Sequence, residues 1–198
     1  IDFGMGNLRS LDHKIKKHGF DCLISSDPSI ISKSKSIILP GVGHFGRAML
    51  NLKDYNLIQV LNDKVINEKT PILGICLGMQ LFFDHSEEGN SAGLGWVAGK
   101  VKKFLFEKNS LLPVPHVGWN LVDEKKESNY LGVIDISQRF YFTHSYRAQC
   151  DVEQDIVGIT NYGFDFCSIT EKDNIVGTQF HPEKSGLNGF NLVKIKDF

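Results

Sequence analysis

The chain has 198 residues, of which 41% are hydrophobic and 23% are charged, and its formal net charge is −1. A chain of this length most simply forms one globular unit, so we expect residues 1–198 to be a single domain. The balanced charge gives no basic footprint for nucleic acid or for a membrane surface, and no run of about 20 apolar residues occurs. The sequence therefore predicts neither a nucleic-acid nor a membrane partner.

Short apolar strands alternate with helices in the first half of the chain. The residues Ile1–Phe3 are typical of the end of a strand. Helices are predicted from about residue 7, over about 45–53 and 55–67, and over 77–86; strands are predicted at 20–26, up to Pro40, and at 71–76. This alternation indicates a parallel sheet that is covered on both faces by helices.

The pattern changes after about residue 95. Strands separated by turns are predicted within 95–106, 139–148, 155–162 and 166–180, and a last helix is predicted near 187–196. We therefore predict one α/β domain with a central, mostly parallel sheet flanked by helices and with antiparallel additions in the C-terminal half.

The four cysteines, at positions 22, 76, 150 and 167, are scattered and form no CxxC pair. A domain of this size does not need disulfides, so a reduced, cytoplasmic setting is expected. The spacing of these cysteines with the seven histidines does not suggest a zinc site. We predict no metal and no cofactor.

Cys76 lies between two glycines in the segment Gly74-Ile75-Cys76-Leu77-Gly78, where a predicted strand meets a predicted helix. Gly-x-Cys-x-Gly has the spacing of a nucleophile elbow, a strained turn that presents a reactive side chain. Backbone amides at the start of the following helix favour a thiolate over a thiol. A buried core thiol is the competing interpretation, and a nearby base is needed to decide between the two.

A candidate base lies about a hundred residues further on, in the segment TQFHPEKS (178–185). Pro182 favours an extended backbone at His181, and in extended chain residues i and i+2 point to the same side. Glu183 can therefore orient the His181 imidazole and stabilise its protonated form. The competing interpretation is a loop histidine beside a solvated carboxylate.

The segment ILPGVGHFG (38–46) ends a third strand with Gly41 and Gly43. The carboxyl ends of parallel strands face the ligand crevice, so this loop is expected near Cys76. Backbone N–H groups of the Val42–Gly43 segment and of Leu77 could then form an oxyanion hole. An ordinary glycine-rich turn is the alternative.

Taken together, these segments resemble class I (triad type) glutamine amidotransferases. GICLGMQLFF and QFHPEKS are similar to the two signature segments of that family. DFGMGNLRS, PGVGHFG, PHVGWN and YFTHSYRA narrow the resemblance to the HisH-type glutaminase subunits of imidazole glycerol phosphate synthase. The similar blocks run from residue 2 to residue 185, which is nearly the whole chain.

The resemblance implies a flavodoxin-like amidotransferase fold and the hydrolysis of L-glutamine to L-glutamate and ammonia. Cys76 would form a glutamyl thioester, His181 would act as general base and acid, and Glu183 would orient it. The other implied site residues are Gly41, Gly43, Gln80, Ser145 and Tyr146 for substrate binding, and Val42, Gly43 and Leu77 for the oxyanion.

The resemblance also implies a heterodimer with a HisF-type (β/α)8 barrel cyclase, which receives the ammonia without release to bulk water. Asn7, Trp119, Asn120, Lys184 and Ser185 match positions that face this partner. The isolated chain is then expected to hydrolyse glutamine poorly. The glycines of the Gly41–Gly43 loop would allow it to change conformation when the partner is loaded.

Three other interpretations remain open from the sequence. A HisH-like paralogue could supply ammonia to an amidine-forming enzyme of surface-sugar synthesis. The glutaminase subunit of pyridoxal phosphate synthase shares the triad, although PHVGWN and HSYRA favour the HisH type. A non-catalytic regulator could keep the same fold, but the presence of Cys76, His181 and Glu183 argues against it.

Overall fold

The computed structural model describes residues 1–17, 19–107, 110–131, 138–186 and 189. Its α-helices are α1 Leu8–Lys17, α2 Pro28–Ile31, α3 Phe45–Asp54, α4 Leu57–Asn62 and α5 Leu77–Gln80. Its strands are β1 Ile37–Gly41, β2 Ile72–Cys76, β3 Phe83–Ser86, β4 Ser91–Ala92, β5 Val97–Lys103, β6 His116–Asn120, β7 Asp123–Glu124, β8 Phe140–His144, β9 Tyr146–Cys150, β10 Ile156–Asn161, β11 Asp165–Lys172 and β12 Ile175–Thr178.

The main sheet is mixed and has the order β1-β2-β12-β11-β9-β5-β3-β4, with β10 and β7 attached through β11. Strands β1, β2 and β12 run parallel to one another, as do β3 and β5, and the other pairs are antiparallel. Strands β6 and β8 form a separate antiparallel pair. The predicted α/β class, with antiparallel additions in the C-terminal half, is confirmed.

Strand β2 is fully buried because it has a parallel neighbour on each side and a hydrophobic cluster on each face. Ile72 packs into one cluster, and Leu73 and Ile75 pack into the other, as the alternation of a strand requires. In β1, Gly41 pairs with Cys76, and in β12, Thr178 pairs with Ile75. The three parallel strands therefore deliver the Gly41–Gly43 loop, Cys76 and the segment after Thr178 to one edge of the sheet.

The helix predicted over 77–86 is wrong in its second half. Helix α5 ends at Gln80, and β3 begins at Phe83 and pairs with β5. The run Leu81, Phe82 and Phe83 is buried throughout, so its hydrophobicity fits a core helix and a core strand equally well. Backbone hydrogen bonds to distant residues favour the strand; for example, Val97 N donates to Phe82 O at 3.0 Å.

Other boundaries also differ from the prediction. No strand forms at 20–26: Ser25 O accepts a hydrogen bond from Asp2 N at 2.9 Å, but no strand ladder is formed there and most side chains are exposed. The helix predicted over 55–67 passes from α4 into a π-helical turn at Asp63–Asn67. The segment 139–148 breaks at Ser145 into β8 and β9, and 166–180 folds back at Asp173 into β11 and β12. The helix predicted near 187–196 falls almost wholly outside the described residues.

Candidate functional site

Cys76 occupies a strained turn at the end of β2. Its backbone has φ 54° and ψ −106°, a combination that non-glycine residues rarely adopt. Gly78 is required beside it, because a Cβ there would lie 1.7 Å from Leu39 O. Gly74 is equally confined, since its Cβ would lie 2.6 Å from the Phe82 ring. The glycines of the Gly-x-Cys-x-Gly segment thus allow β1 and α5 to pack tightly around the bend. This packing holds the backbone of Cys76 in its strained conformation.

His181 and Glu183 lie together, as the i, i+2 spacing suggests. The imidazole Nδ1 is 2.8 Å from Glu183 Oε1, and both side chains are buried. His181 Nε2 has no hydrogen-bond partner among the described residues. Burial lowers the pKa of His181, but its interactions with Cys76 and Glu183 together outweigh burial and raise the pKa to about 9. The site therefore favours a protonated imidazole opposite Cys76.

The His181 backbone is fixed to β8 by two routes. His181 N donates to Tyr141 O at 2.9 Å. The Ser185 hydroxyl donates to His181 O at 2.7 Å and accepts from Tyr141 N at 3.0 Å. Ser185 is 2% exposed, so its side chain braces this loop from inside.

A cavity of about 290 Å³ opens beside Cys76. Most of the predicted substrate and oxyanion residues line it: Val42, Gly43, Leu77, Gln80, Ser145 and Tyr146. Gly41 lies behind this lining in β1, where a Cβ would come within 3.1 Å of the Leu77 side chain. His181 does not line the cavity. The cavity is large enough for a single amino acid, with the sulfur on its wall.

The structure adds residues that sequence reasoning missed. Glu88 lines the cavity, and its Oε2 accepts a hydrogen bond from Phe45 N at 2.8 Å. The Thr143 carbonyl lies 4.0 Å from Cys76 Sγ, and Gln179 Nε2 lies 3.7 Å from it. Glu88 sits in a polar turn, SEEGN, that is typical of solvated loops, so no local signal identifies it.

Two buried histidines support the cavity wall at residues 144–146. His144 Nδ1 lies 2.7 Å from Tyr146 O, and His144 Nε2 lies 3.0 Å from His116 Nδ1. Burial lowers the pKa of His144 to about 3 and that of His116 to about 4, so both rings are neutral near pH 7. A carbonyl only accepts, so His144 donates from Nδ1 and His116 donates to His144 Nε2. The neutral pair therefore has one fixed pattern of donors.

Two of the residues predicted to face a partner, Trp119 and Lys184, contact the same side chain, Tyr141. Trp119 is 51% exposed, and with Val117 and Leu121 it forms an exposed apolar row on and just beyond β6. Lys184 Nζ lies 5.5 Å from the centre of the neighbouring Tyr141 ring. Asn120 Nδ2 donates to Asn161 O at 2.9 Å.

Asn7 stands before α1, where its side-chain oxygen accepts from Ser10 N at 3.3 Å. This bond is the N-terminal cap of the helix. The interface roles of Asn7, Trp119, Asn120, Lys184 and Ser185 stay predictions.

A second, larger groove of about 750 Å³ lies between α1 and β1 and is mainly apolar. Its lining includes none of the predicted catalytic residues. Within the described ranges, no group of three or more His, Cys, Asp and Glu side chains is placed to hold a metal ion. In the same part of the chain, none of the helices has the length and apolar character that crossing a bilayer requires.

Residues 1–192 match the family "Glutamine amidotransferase class-I". A subunit from Methanococcus maripaludis, "Imidazole glycerol phosphate synthase subunit HisH 2", is 46% identical over 194 residues, covering 98% of this chain and 95% of the relative. "Imidazole glycerol phosphate synthase subunit HisH" from Leptospira borgpetersenii is 43% identical over 195 residues, covering 98% and 96%.

Solved structures agree at the level of the fold. A crystal structure described as a glutamine amidotransferase superposes with a TM-score of 0.67 at 15% identity, covering 90% of this chain and 87% of the other. Sequence and fold lead to the same assignment. The chain belongs to the class I glutamine amidotransferase family and is similar to the HisH subunits of imidazole glycerol phosphate synthase.

Proposed function

We propose that this chain is the cytoplasmic glutaminase subunit of an imidazole glycerol phosphate synthase. It hydrolyses L-glutamine to L-glutamate and ammonia, and a HisF-type cyclase uses the ammonia to make imidazole glycerol phosphate and AICAR. The observation that carries the proposal is the strained Cys76 on the wall of a cavity sized for an amino acid, together with the His181–Glu183 pair, whose imidazole interacts with Cys76. The similarity to HisH subunits supports the choice of pathway.

In the proposed first step, the proton of the Cys76 thiol already resides on His181, as the raised pKa of that ring favours, and the thiolate attacks the side-chain carbonyl carbon of glutamine. Glu183 Oε1, 2.8 Å from Nδ1, holds the ring and stabilises the imidazolium. Backbone N–H groups of Val42, Gly43 and Leu77, which line the cavity, are assigned to the developing oxyanion.

The tetrahedral intermediate then collapses to a glutamyl thioester as the C–N bond breaks. His181 returns the proton to the leaving nitrogen, and ammonia departs. Water, activated by the same imidazole, attacks the thioester and releases glutamate and the Cys76 thiol. The raised pKa of His181, about 9, suits a group that must hold a proton between these steps.

The cavity walls suggest how the amino-acid end of glutamine is held. We assign the Glu88 carboxylate to the α-ammonium group because it is the acidic side chain in the lining. Gln80 Nε2 already donates to Tyr146 O at 2.9 Å, so its carbonyl is the part that can accept from the substrate. Ser145 and Tyr146 would contact the same end through their backbone.

The partner is proposed to dock on the apolar row of Val117, Trp119 and Leu121. These side chains are more than one-third exposed, and they project from the strand pair that also supports residues 143–146 of the cavity. A hydrophobic row with an aromatic centre is typical of a protein interface.

A second candidate function has the same glutamine hydrolysis but a different acceptor for the ammonia. A HisH-like paralogue would deliver ammonia to an amidine-forming enzyme of surface-sugar synthesis. Two Methanococcus maripaludis relatives are named HisH 1 and HisH 2, so one organism can carry two subunits of this type. Both candidates predict the same hydrolysis at Cys76.

The test is a two-substrate assay of the chain co-expressed with its HisF-type partner. Glutamine-dependent formation of imidazole glycerol phosphate should be lost in Cys76→Ala, whereas formation from free ammonia should be retained. Normal glutamate release by the variant would refute the nucleophile assignment. Glutamate release with no imidazole glycerol phosphate from either nitrogen source would instead favour the paralogue.

A further inference from the structure

Gln179 is fully buried, at 0% exposed, and its side chain spans the space between Gln80 and the sulfur of Cys76. Its Oε1 accepts a hydrogen bond from Gln80 Nε2 at 3.0 Å, and its Nε2 lies 3.7 Å from Cys76 Sγ. A buried amide next to a candidate nucleophile is a costly arrangement unless both of its ends are satisfied. Here both ends have partners.

The orientation of this amide is fixed by its neighbours. Gln80 Nε2 donates to Tyr146 O, which can only accept, so the nitrogen of Gln80 is identified without ambiguity. The same nitrogen donates to Gln179, so the Gln179 atom that faces it must be the oxygen. His144 donates to the same Tyr146 carbonyl at 2.7 Å and anchors this end of the chain of bonds. The NH₂ group of Gln179 is therefore left facing the sulfur.

The sulfur meets two different groups. The Thr143 carbonyl, 4.0 Å away, can only accept, so it suits the S–H of the thiol. The Gln179 amide can only donate from Nε2, so it suits the lone pairs of sulfur and binds more strongly once the sulfur is charged. Loss of the thiol proton thus weakens one contact and strengthens the other.

We propose that Gln179 is a further catalytic residue: its amide orients the Cys76 sulfur and stabilises the thiolate that attacks glutamine. The inference rests on the proposed role of Cys76 as the nucleophile. A neutral donor has a particular advantage here, because it favours the thiolate without competing with His181 for the thiol proton. Through Gln80 and Tyr146 O, the same amide also ties the position of the sulfur to the wall that holds the substrate.

The test measures the rate at which iodoacetamide alkylates Cys76 as a function of pH, by mass spectrometry, in the assembled complex. The titratable groups around the sulfur, namely His181, Glu183, His144 and Glu88, are left unchanged in every variant. Gln179→Leu removes the donor. Gln179→Glu keeps the shape and places a negative charge beside the sulfur.

For Gln179→Leu, the midpoint of the alkylation profile should move to higher pH, and kcat/KM for glutamine should fall about 10- to 100-fold, as expected for loss of a hydrogen bond to a charged group. Gln179→Glu should shift the midpoint further. Synthesis from free ammonia should be unchanged in both. If Gln179→Leu does not fold, Gln179→Met, which is unbranched and lacks the donor, is measured in its place with the same expectation.

Ser168→Ala is the matched control. Ser168 is also buried and accepts from Gln179 N at 2.8 Å through its backbone, but its hydroxyl bonds Thr160, away from the sulfur. Its alkylation profile should match the unsubstituted chain. A wild-type profile in the Gln179 variants would overturn the inference and leave the glutaminase proposal intact. Failure of the proposal itself is recognised separately, by Cys76→Ala retaining glutamine hydrolysis.

Discussion

Two thiols of this protein, those of Cys76 and Cys167, are buried to nearly the same extent but have different surroundings. Cys76 is 5% exposed and Cys167 is 4% exposed. Cys167 lies inside the antiparallel strand β11, with Cys150 Sγ 3.3 Å away and the Ile169 carbonyl at 3.4 Å. The neighbouring thiol and burial raise the pKa of Cys167 well above its usual value. Cys76 ends a parallel strand, at a strained bend beside a cavity.

Burial alone therefore does not distinguish the thiol that we propose as the nucleophile from the other buried thiol. What distinguishes Cys76 is its place at the carboxyl end of β2, where two parallel neighbours bring a glycine loop and His181 to the same edge. Around Cys167 the contacts favour the neutral thiol, whereas around Cys76 they include a hydrogen-bond donor and a basic ring. The comparison can be tested by changing each region in turn.

The largest expected effect comes from removing the two sulfurs separately. Cys76→Ala should lower glutamine hydrolysis by at least about 10⁴-fold, as is typical for loss of a nucleophile from a catalytic triad. Cys167→Ala should leave the turnover within a few fold, because its sulfur touches neither the cavity nor His181. Glutamate release by the co-expressed complex measures both. Similar losses in the two variants would remove the distinction between the regions.

The next effect concerns the glycine that permits the bend. Gly78→Ala places a Cβ 1.7 Å from Leu39 O, a backbone atom that cannot move without disturbing β1. We expect a loss of about 3 kcal/mol or more in the free energy of unfolding, or a displaced elbow with little activity. Chemical denaturation measures the first outcome, and hydrolysis of glutamine measures the second.

Gly46→Ala is the control for this substitution. Gly46 lies in helix α3, and the nearest atom to its Cβ would be His44 Cε1 at 3.4 Å. Alanine should be neutral there or should stabilise the helix by up to about 1 kcal/mol. Equal destabilisation by the two substitutions would show that the bend is not specially confined.

A smaller effect should appear in acid, from the histidine pair behind the cavity. Burial lowers the pKa of His144 to about 3 and of His116 to about 4, whereas in the unfolded chain both titrate near 6.5. As the pH falls below about 6.5 the unfolded chain binds protons that the folded chain does not, so this contribution to stability falls until about pH 4 for His116 and about pH 3 for His144. A loss of about 1–2 kcal/mol between pH 6.5 and 5.5 is expected.

The measurement is urea denaturation at a series of pH values. The double variant His116→Gln, His144→Gln should show a shallower loss over this interval, even if it is less stable at pH 7. The Cys150 and Cys167 region contains no histidine among its described contacts, so Cys167→Ala should keep the original slope. An unchanged slope in the double variant would contradict the predicted ionisation of the pair.

Features that depend on neighbouring residues could be predicted from the sequence, whereas features that depend on distant residues could not. The Gly-x-Cys-x-Gly spacing predicted the bend at Cys76, and the i, i+2 spacing predicted the contact of His181 with Glu183. The helix predicted through Phe83 was wrong because a uniformly buried apolar run has no periodicity to distinguish helix from strand. The strand predicted at 20–26 was wrong because apolar residues alone do not supply a ladder partner.

The missed site residues share one property: their roles depend on distant parts of the chain. Glu88 reaches the cavity from a polar turn, and Gln179 meets Gln80 across 99 positions. Neither has a spacing relative to Cys76 that a sequence pattern can use. The bond from the Ser185 hydroxyl to His181 O is a further contact that the sequence pattern did not indicate.

We propose that, of the four cysteines, only Cys76 is the nucleophile that attacks glutamine. Incubation of the complex with a chloroketone analogue of glutamine, followed by peptide mass spectrometry, tests it most directly. We expect one adduct per chain, on Cys76, and excess glutamine should prevent it from forming. An adduct on Cys22, Cys150 or Cys167 with Cys76 unmodified would contradict it.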